Sequence, residues 1–106
     1  MDVLRIVRME FHPESCGRFD RLFESVQARI LASPGCISVI AVRPLDEPHV
    51  RVTMSRWNSA SALEAYRNSA LFGEVWPETK SMFSAKPVAW SMEWNPEFAD
   101  FLQFGL

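Results

Sequence analysis

The apolar positions change period in the middle of the chain. From Val50 to Trp57 apolar and polar residues alternate, with Thr53, Ser55 and Trp57 on one face, which is the period of a β-strand. After Asn58 the apolar residues recur at helical spacing. A strand that ends in tryptophan and turns at once into a helix gathers aromatic side chains around one cleft, where we expect the function of the protein to lie.

Two serines are candidates for the cap of this helix. Ser59 and Ser61 both offer a hydroxyl to first-turn amides, and Ser61 has Glu64 three residues further on, the spacing of a capping box. Gly73 and Pro77 weaken the helix further along, because Pro77 has no amide hydrogen to bond to the Gly73 carbonyl. We therefore expect a kink or a fresh start of the helix at these residues.

The rest of the chain predicts three further strands and a first helix. The strands cover residues 2–11, 36–43 and 88–94. The first helix opens at Pro13, since proline suits a first turn. Its apolar stripe consists of Phe19, Leu22, Phe23, Val26 and Ile30. Residues 44–48 predict a hairpin turn between the second and third strands, and we expect the second helical region to end at Lys86.

The order strand, helix, strand, strand, helix, strand predicts a ferredoxin-like βαββαβ fold. In this α+β class a four-stranded antiparallel sheet carries both helices on one face. Three of the four strands are apolar on both faces, although two helices can cover only one. A second copy of the chain is the expected cover, so we predict a homodimer. Residues 1–94 form the predicted domain, and residues 95–106 form an apolar tail that packs on its own or on the partner subunit.

Composition and charge disfavour several classes of function. The chain has 106 residues and a formal net charge of -2, so it forms one domain without the basic surface that binds nucleic acid. No apolar run reaches the roughly 20 residues that span a bilayer, and the N-terminus is no signal peptide, so we expect a cytoplasmic protein without a membrane partner. Two cysteines and two histidines have no ligand spacing, and we expect no metal.

A set of residues around the central strand resembles the antibiotic biosynthesis monooxygenase (ABM) family. The strand from Val50 to Trp57 carries the resemblance together with Pro34-Gly35-Cys36, Asn58-Ser59, Leu63, Tyr66, Ser69, Phe72 and Trp76. The similarity covers about residues 2–94. It implies a dimeric α+β barrel with a pocket between the sheet and the helices. The superfamily hosts oxygenases, haem-degrading enzymes, isomerases and proteins of unknown role, so the fold alone does not fix the activity.

The resemblance also implies candidate site residues. For catalysis these are Tyr66, Asn58 and Trp57. For binding of a small aromatic substrate they are Arg56, Phe72, Trp76, Phe83 and Trp90. Each has a structural alternative: the aromatic side chains are core residues, Asn58 is a helix cap, and Arg56 is a solvated edge charge.

Three functions follow from the resemblance and the residues. The first is oxygenation of an electron-rich aromatic molecule without metal or organic cofactor, because such a substrate supplies its own electrons once it is deprotonated. The second, haem degradation, is disfavoured: where that branch of the family has asparagine, tryptophan and an axial histidine, this chain has Val7, Tyr66 and Trp76. The third is a non-catalytic binding or structural dimer, since the sequence shows no acid, base and nucleophile set.

Overall fold

Four strands and three α-helices make up residues 1–95, the part of the chain that the structure, a computed structural model, describes. The elements are β1 (Asp2–Glu10), α1 (Cys16–Leu31), β2 (Cys36–Val42), β3 (Val50–Trp57), α2 (Ala60–Arg67), α3 (Ala70–Lys80) and β4 (Val88–Trp94). A short 3-10 turn, Pro13–Ser15, precedes α1. Apart from Asn95, the predicted apolar tail lies outside the described residues.

The four strands form one antiparallel sheet in the order β2-β3-β1-β4. The second and third strands pair as the predicted hairpin. β1 lies between β3 and β4 and pairs with both, so the first and last strands of the chain are neighbours in the sheet. This connectivity confirms the predicted ferredoxin-like α+β fold.

The two faces of the sheet differ in what covers them. Val3, Met9 and Trp57 lie on the face that the helices cover, and they are buried in clusters with residues of α1 and α2. The opposite face carries apolar side chains that remain partly exposed within the single chain: Ile40, Val42, Val88, Trp90, Met92 and Trp94. The sheet is therefore apolar on both faces, and the helices account for only one of them.

A tight turn before β2 fastens the start of α2 to the sheet. Gly35 has φ 83°, a conformation that glycine adopts without steric cost, and its carbonyl accepts a hydrogen bond from the Asn58 amide at 2.8 Å. A Cβ atom on Gly35 would lie 2.5 Å from the Ala62 Cβ and 2.6 Å from the Asn58 Oδ1. Any side chain at this position would push α2 away from the sheet, so the glycine sets how closely α2 approaches.

The second helical region breaks at a different place from the one predicted. The helix restarts at Ser69, whose hydroxyl accepts from the Phe72 amide at 3.2 Å and donates to the Tyr66 carbonyl at 2.6 Å. Pro77 lies inside α3 without ending it. Its missing amide leaves the carbonyl of Gly73 without that partner, and because Gly73 is exposed, water can hydrate this carbonyl.

The end of α3 also differs from the prediction. The helix ends at Lys80 rather than Lys86, because the following residues return to the sheet. Met82 is fully buried, Phe83 bridges to Phe11, and the Ser84 amide donates to the Glu10 carbonyl at 2.9 Å. These contacts seal the end of the core beside β1.

Candidate functional site

A cavity of about 230 Å³ lies between the helix-covered face of the sheet and the helices. Its lining comprises Arg5, Val7, Met9, Phe19, Phe23, Ile30, Val39, Thr53, Ser55, Trp57, Leu63, Tyr66, Arg67, Phe72, Val75, Trp76, Thr79, Pro87 and Ala89. Among these, Arg67 and Ala89 are exposed, so the cavity opens between the end of α2 and β4. This volume is below the roughly 300–1,000 Å³ of pockets for drug-sized ligands and fits a smaller molecule.

One wall of the cavity is a continuous series of aromatic rings. The ring of Tyr66 stacks on Trp57 with centroids 5.0 Å apart and meets Phe72 edge-on at 5.4 Å, and Phe72 stacks on Trp76 at 5.6 Å. The break between α2 and α3 creates this series, because the cap at Ser69 turns α3 so that Phe72 faces Tyr66. Such a wall suits the flat face of an aromatic ligand.

The indole of Trp57 is held by its own strand. The side chain is fully buried, and its Nε1 donates to the Ser55 Oγ at 2.9 Å. A buried indole N–H normally needs such a partner, so this nitrogen is occupied within the protein. The Ser55 hydroxyl accepts this bond and keeps its own proton available to donate, since a hydroxyl has one donor and two acceptor positions.

Tyr66 stays protonated at neutral pH. Burial, and to a smaller degree the nearby Cys36 thiol, raise the pKa of Tyr66 to about 12, because a phenolate loses hydration in this apolar site. Burial also raises the pKa of the Cys36 thiol. A phenol with this pKa can donate a hydrogen bond, but it is too weakly acidic to exist as a phenolate base near neutral pH.

A row of three polar register partners crosses the helix-covered face of the sheet beside the cavity. Ser55 on β3, Arg5 on β1 and Ser91 on β4 are register partners, and Arg5 Nη1 donates to the Ser91 Oγ at 2.9 Å. The pKa of Arg5 is lowered, first by burial and then by repulsion from Arg67. Arg67 ends α2 at the opening of the cavity, where its Nη1 lies 3.5 Å from the Glu64 Oε2.

Four of the predicted site residues line the cavity together: Trp57, Tyr66, Phe72 and Trp76. The structure brings them into one wall from a strand and two helices. Their part in catalysis or binding stays a prediction, which the proposed function below takes up.

The other four predicted residues lie away from the cavity. Trp90 alternates in phase with Val88 on β4 and therefore projects from the helix-free face. Arg56 lies on the same face, where its guanidinium pairs with Asp2 at 2.7 Å. Phe83 lies behind Trp76 and packs against Phe11. The side chain of Asn58 lies against the turn at Gly35, while the cap of α2 is Ser59, which accepts from the Ala62 amide at 3.1 Å.

The two arginines that line the cavity were not predicted from the sequence as site residues. Arg5 occupies the same parity of β1 as Val3, Val7 and Met9, and a charge on an otherwise apolar strand face was the available signal. Arg67 carried no such signal, because a charged residue in the last turn of a helix is common and favourable in its own right.

Metal-binding and membrane-spanning features are absent from residues 1–95. In this range no three histidine, cysteine or acidic side chains gather as a metal site requires. Cys16 and Cys36 are free thiols. No helix in this part of the chain is long and apolar enough to cross a membrane.

A comparison with protein-family models identifies the family. The model described as antibiotic biosynthesis monooxygenase matches residues 2–76, a range that runs from β1 into α3 and includes the aromatic wall of the cavity. The chain belongs to the ABM family. No curated protein sequence matches the chain.

Solved structures share the fold of this ABM protein at low sequence identity. A conserved protein of Methanosarcina mazei Go1 superposes with a TM-score of 0.85 at 18% identity, covering 90% of this chain and 94% of that one. The protein Rv0793 of Mycobacterium tuberculosis gives a TM-score of 0.82 at 18% identity, covering 90% and 96%. A protein described as an antibiotic biosynthesis monooxygenase gives 0.81 at 16% identity, covering 89% and 99%.

Proposed function

We propose that this ABM protein is a monooxygenase that oxygenates a small electron-rich aromatic molecule in the cavity, without a metal or an organic cofactor. Membership of the family supports an ABM-like function. The observation that carries the proposal is the cavity itself, in which aromatic side chains form one wall and Arg5, Ser55 and Tyr66 supply polar groups. An apolar site with few, fixed polar groups suits the anion of a phenol or a related molecule.

The reaction balances without an external reductant. Conversion of a phenol with a free para position to a quinone removes four electrons, and these electrons reduce one molecule of oxygen. One oxygen atom enters the ring as the new carbonyl, and the other leaves as water with the two hydrogens that the substrate gives up. Because loss of the phenolic proton makes the ring a better electron donor, any group that stabilises the phenolate promotes the first step.

In this proposal some side chains orient the substrate and others stabilise its negative charge. Trp57, Phe72 and Trp76 hold the ring of the substrate against the aromatic wall. Tyr66, neutral because its pKa is raised to about 12, donates a hydrogen bond to the substrate oxygen and so favours the anion. Arg56 and Asn58 have no part in this assignment, since the structure places both outside the cavity.

Oxygen uptake tests the proposed function directly. Purified protein is mixed with a panel of dihydroxy-aromatic and naphthol substrates, and oxygen consumption is followed together with quinone formation. We expect turnover with at least one member, and a loss of kcat of about tenfold to a hundredfold in Tyr66→Phe, the range for removal of one donor to a developing anion.

Ser61→Ala is the matched control, because it removes a hydroxyl from the same helix outside the cavity. Equal kcat in Tyr66→Phe and wild type would remove Tyr66 from the mechanism. No uptake across the panel, combined with binding of the same molecules, would make the protein a non-catalytic binding module instead.

We also propose that the chain forms a homodimer through the helix-free face of the sheet. That face carries six partly exposed apolar side chains on the edge strands β2 and β4, and a monomeric protein seldom leaves this much apolar surface in water. A two-fold axis lets one such face cover its own copy.

A further inference from the structure

Among residues 1–95, the lining of the cavity of the proposed oxygenase carries positive charge and no negative charge. Arg5 and Arg67 both line it, and none of the described lining residues is an aspartate or a glutamate. Burial lowers the pKa of Arg5, and repulsion from Arg67 lowers it further, in keeping with the place of both side chains in the lining of one cavity. Two guanidinium groups beside one apolar cavity favour an anionic ligand over a neutral one.

Arg5 is exceptional among the arginines of residues 1–95. Six arginines have a carboxylate oxygen within 4.0 Å: Arg8, Arg18, Arg29, Arg51, Arg56 and Arg67. Arg21 and Arg43, which have none, are exposed to water. Arg5 is partly buried, and within residues 1–95 its side chain has the neutral Ser91 hydroxyl as its hydrogen-bond partner and no carboxylate within 4.0 Å. A partly buried guanidinium without a carboxylate keeps donors available for a ligand.

The surroundings of Arg5 hold its guanidinium in place on the sheet. The Ser91 hydroxyl accepts from Nη1, and the register places Ser55 on the other side of Arg5. Glu64 contacts Arg67 as an exposed ion pair, which is a weak interaction in water. An anion in the cavity can therefore engage both arginines without breaking a buried ion pair.

We propose that Arg5 and Arg67 form an anion-binding subsite at the open end of the cavity and that the aromatic ligand carries an oxyanion, a carboxylate or the phenolate of an acidic phenol, which this pair binds. The inference rests on the proposed function, because it specifies the ligand class of the same cavity. Guanidinium groups bind such oxygens through charge-assisted hydrogen bonds. The aromatic wall then receives the ring of the ligand.

Calorimetric titration of the full chain with matched probes tests this subsite. The carboxylate probe is 2-naphthoate, with neutral 2-naphthamide as its isostere, and the phenolate probe is pentafluorophenolate, with its neutral methyl ether. At neutral pH we expect at least one anionic probe to bind about tenfold or more tightly than its neutral partner, and we expect this preference to shrink as salt is added. The probe pair that shows the preference identifies the type of oxyanion.

Variants separate the subsite from a general loss of fold. Arg5→Met, which keeps a long unbranched side chain and removes the charge, should weaken the preferred anionic probe about tenfold and leave its neutral partner nearly unchanged. The same variant should not lower the Tm of the ligand-free protein, since it removes a partly buried charge. Arg21→Met, an exposed arginine of α1 outside the cavity, should change neither affinity.

Several outcomes overturn the subsite. These are equal binding of the anionic and neutral probes to wild type, equal weakening of both by Arg5→Met, and no binding of any probe. Binding of the probes needs no oxygen, so failure of the subsite can be distinguished from failure of the proposed oxygenase function. A preference for the anionic probe without oxygen uptake would refute the oxygenase and support the subsite. Oxygen uptake with neutral phenols and no such preference would support the oxygenase and refute the subsite.

Discussion

Tyr66 is the residue whose chemistry the fold changes most. Its ring lies between Trp57 and Phe72, and burial raises its pKa to about 12 from an ordinary value of about 10. The chain has a single tyrosine, so the near-ultraviolet absorbance of tyrosinate reports on this residue alone. We predict that native protein shows almost no tyrosinate at pH values where a free tyrosine is half ionised.

The sign of the effect on stability follows from the same shift. A folded-state pKa above the unfolded one means that the folded protein holds this proton more tightly, so its contribution to stability is complete below pH 10 and is lost as the pH rises toward about 12. The Cys36 thiol, whose pKa is also raised by burial, acts in the same direction. Tyrosinate absorbance should therefore appear together with loss of the near-ultraviolet circular dichroism.

Tyr66→Phe is the control for this titration, since it removes the absorbance change and should extend the folded range to higher pH. Tyrosinate that appears near pH 10 while the circular dichroism stays native would contradict the burial of the hydroxyl. That result would also weaken the case for Tyr66 as a neutral donor in the cavity.

At the residue scale the sequence predicted the aromatic wall better than its charged surroundings. Trp57, Tyr66, Phe72 and Trp76 were accessible to prediction because strand alternation and helical spacing put them on the buried sides of their elements. Trp90 was assigned to the pocket through the family resemblance, but which face of the sheet it joins depends on the register of β4 with β1, which a single strand does not encode. Arg5 was missed because a charge was not expected inside an apolar pattern.

The break between α2 and α3 shapes the cavity at the scale of elements. Ser69 caps α3 through the Phe72 amide and holds the Tyr66 carbonyl at the end of α2. We predict that Ser69→Ala lowers the free energy of unfolding by about 1 kcal/mol, the usual cost of a lost N-cap. It should also weaken ligand binding, because Phe72 is no longer held against Tyr66. Chemical denaturation and calorimetric titration measure the two effects.

Ser61→Ala provides the comparison for this cap. Ser61 is exposed inside α2, and its hydroxyl lies 3.1 Å from the Ser59 hydroxyl, so its removal should cost a few tenths of a kcal/mol, as exposed surface changes do. Equal losses of stability in the two variants would show that Ser69 is not the residue that fixes the start of α3.

The order of elements was predictable, whereas the helix break was not. Each strand has its own alternation and each connection its own turn residues, so the βαββαβ order follows from local pattern. Gly73 and Pro77 are the strongest helix breakers in the second region, and yet α3 contains both. Capping by Ser69 and packing of the aromatic residues outweigh the low helix propensities of Gly73 and Pro77. Neither effect is included in a helix propensity, which describes one residue at a time.

At the scale of the whole molecule, the helix-free face has an apolar centre between charged ends. Trp90 and Met92 are 45% and 41% exposed within the single chain. At one end of the face Arg56 pairs with Asp2 and lies over the ring of Trp94, and at the other end Arg8 pairs with Glu47. An apolar centre with a polar rim is the usual anatomy of a protein interface.

The proposed homodimer predicts a specific effect of a charge among the apolar side chains of this face. Trp90→Glu should raise the dissociation constant of the dimer by about a hundredfold or more, because the two-fold axis buries one added carboxylate from each copy. Leu45→Glu is the matched control: Leu45 is fully exposed in the turn between β2 and β3, and its substitution should leave the dimer intact. Sedimentation at micromolar concentration measures both, with circular dichroism to verify folding. A wild-type chain that sediments as a monomer would leave the apolar face uncovered and refute the dimer. A wild-type dimer that Trp90→Glu leaves unchanged would place the interface on another surface.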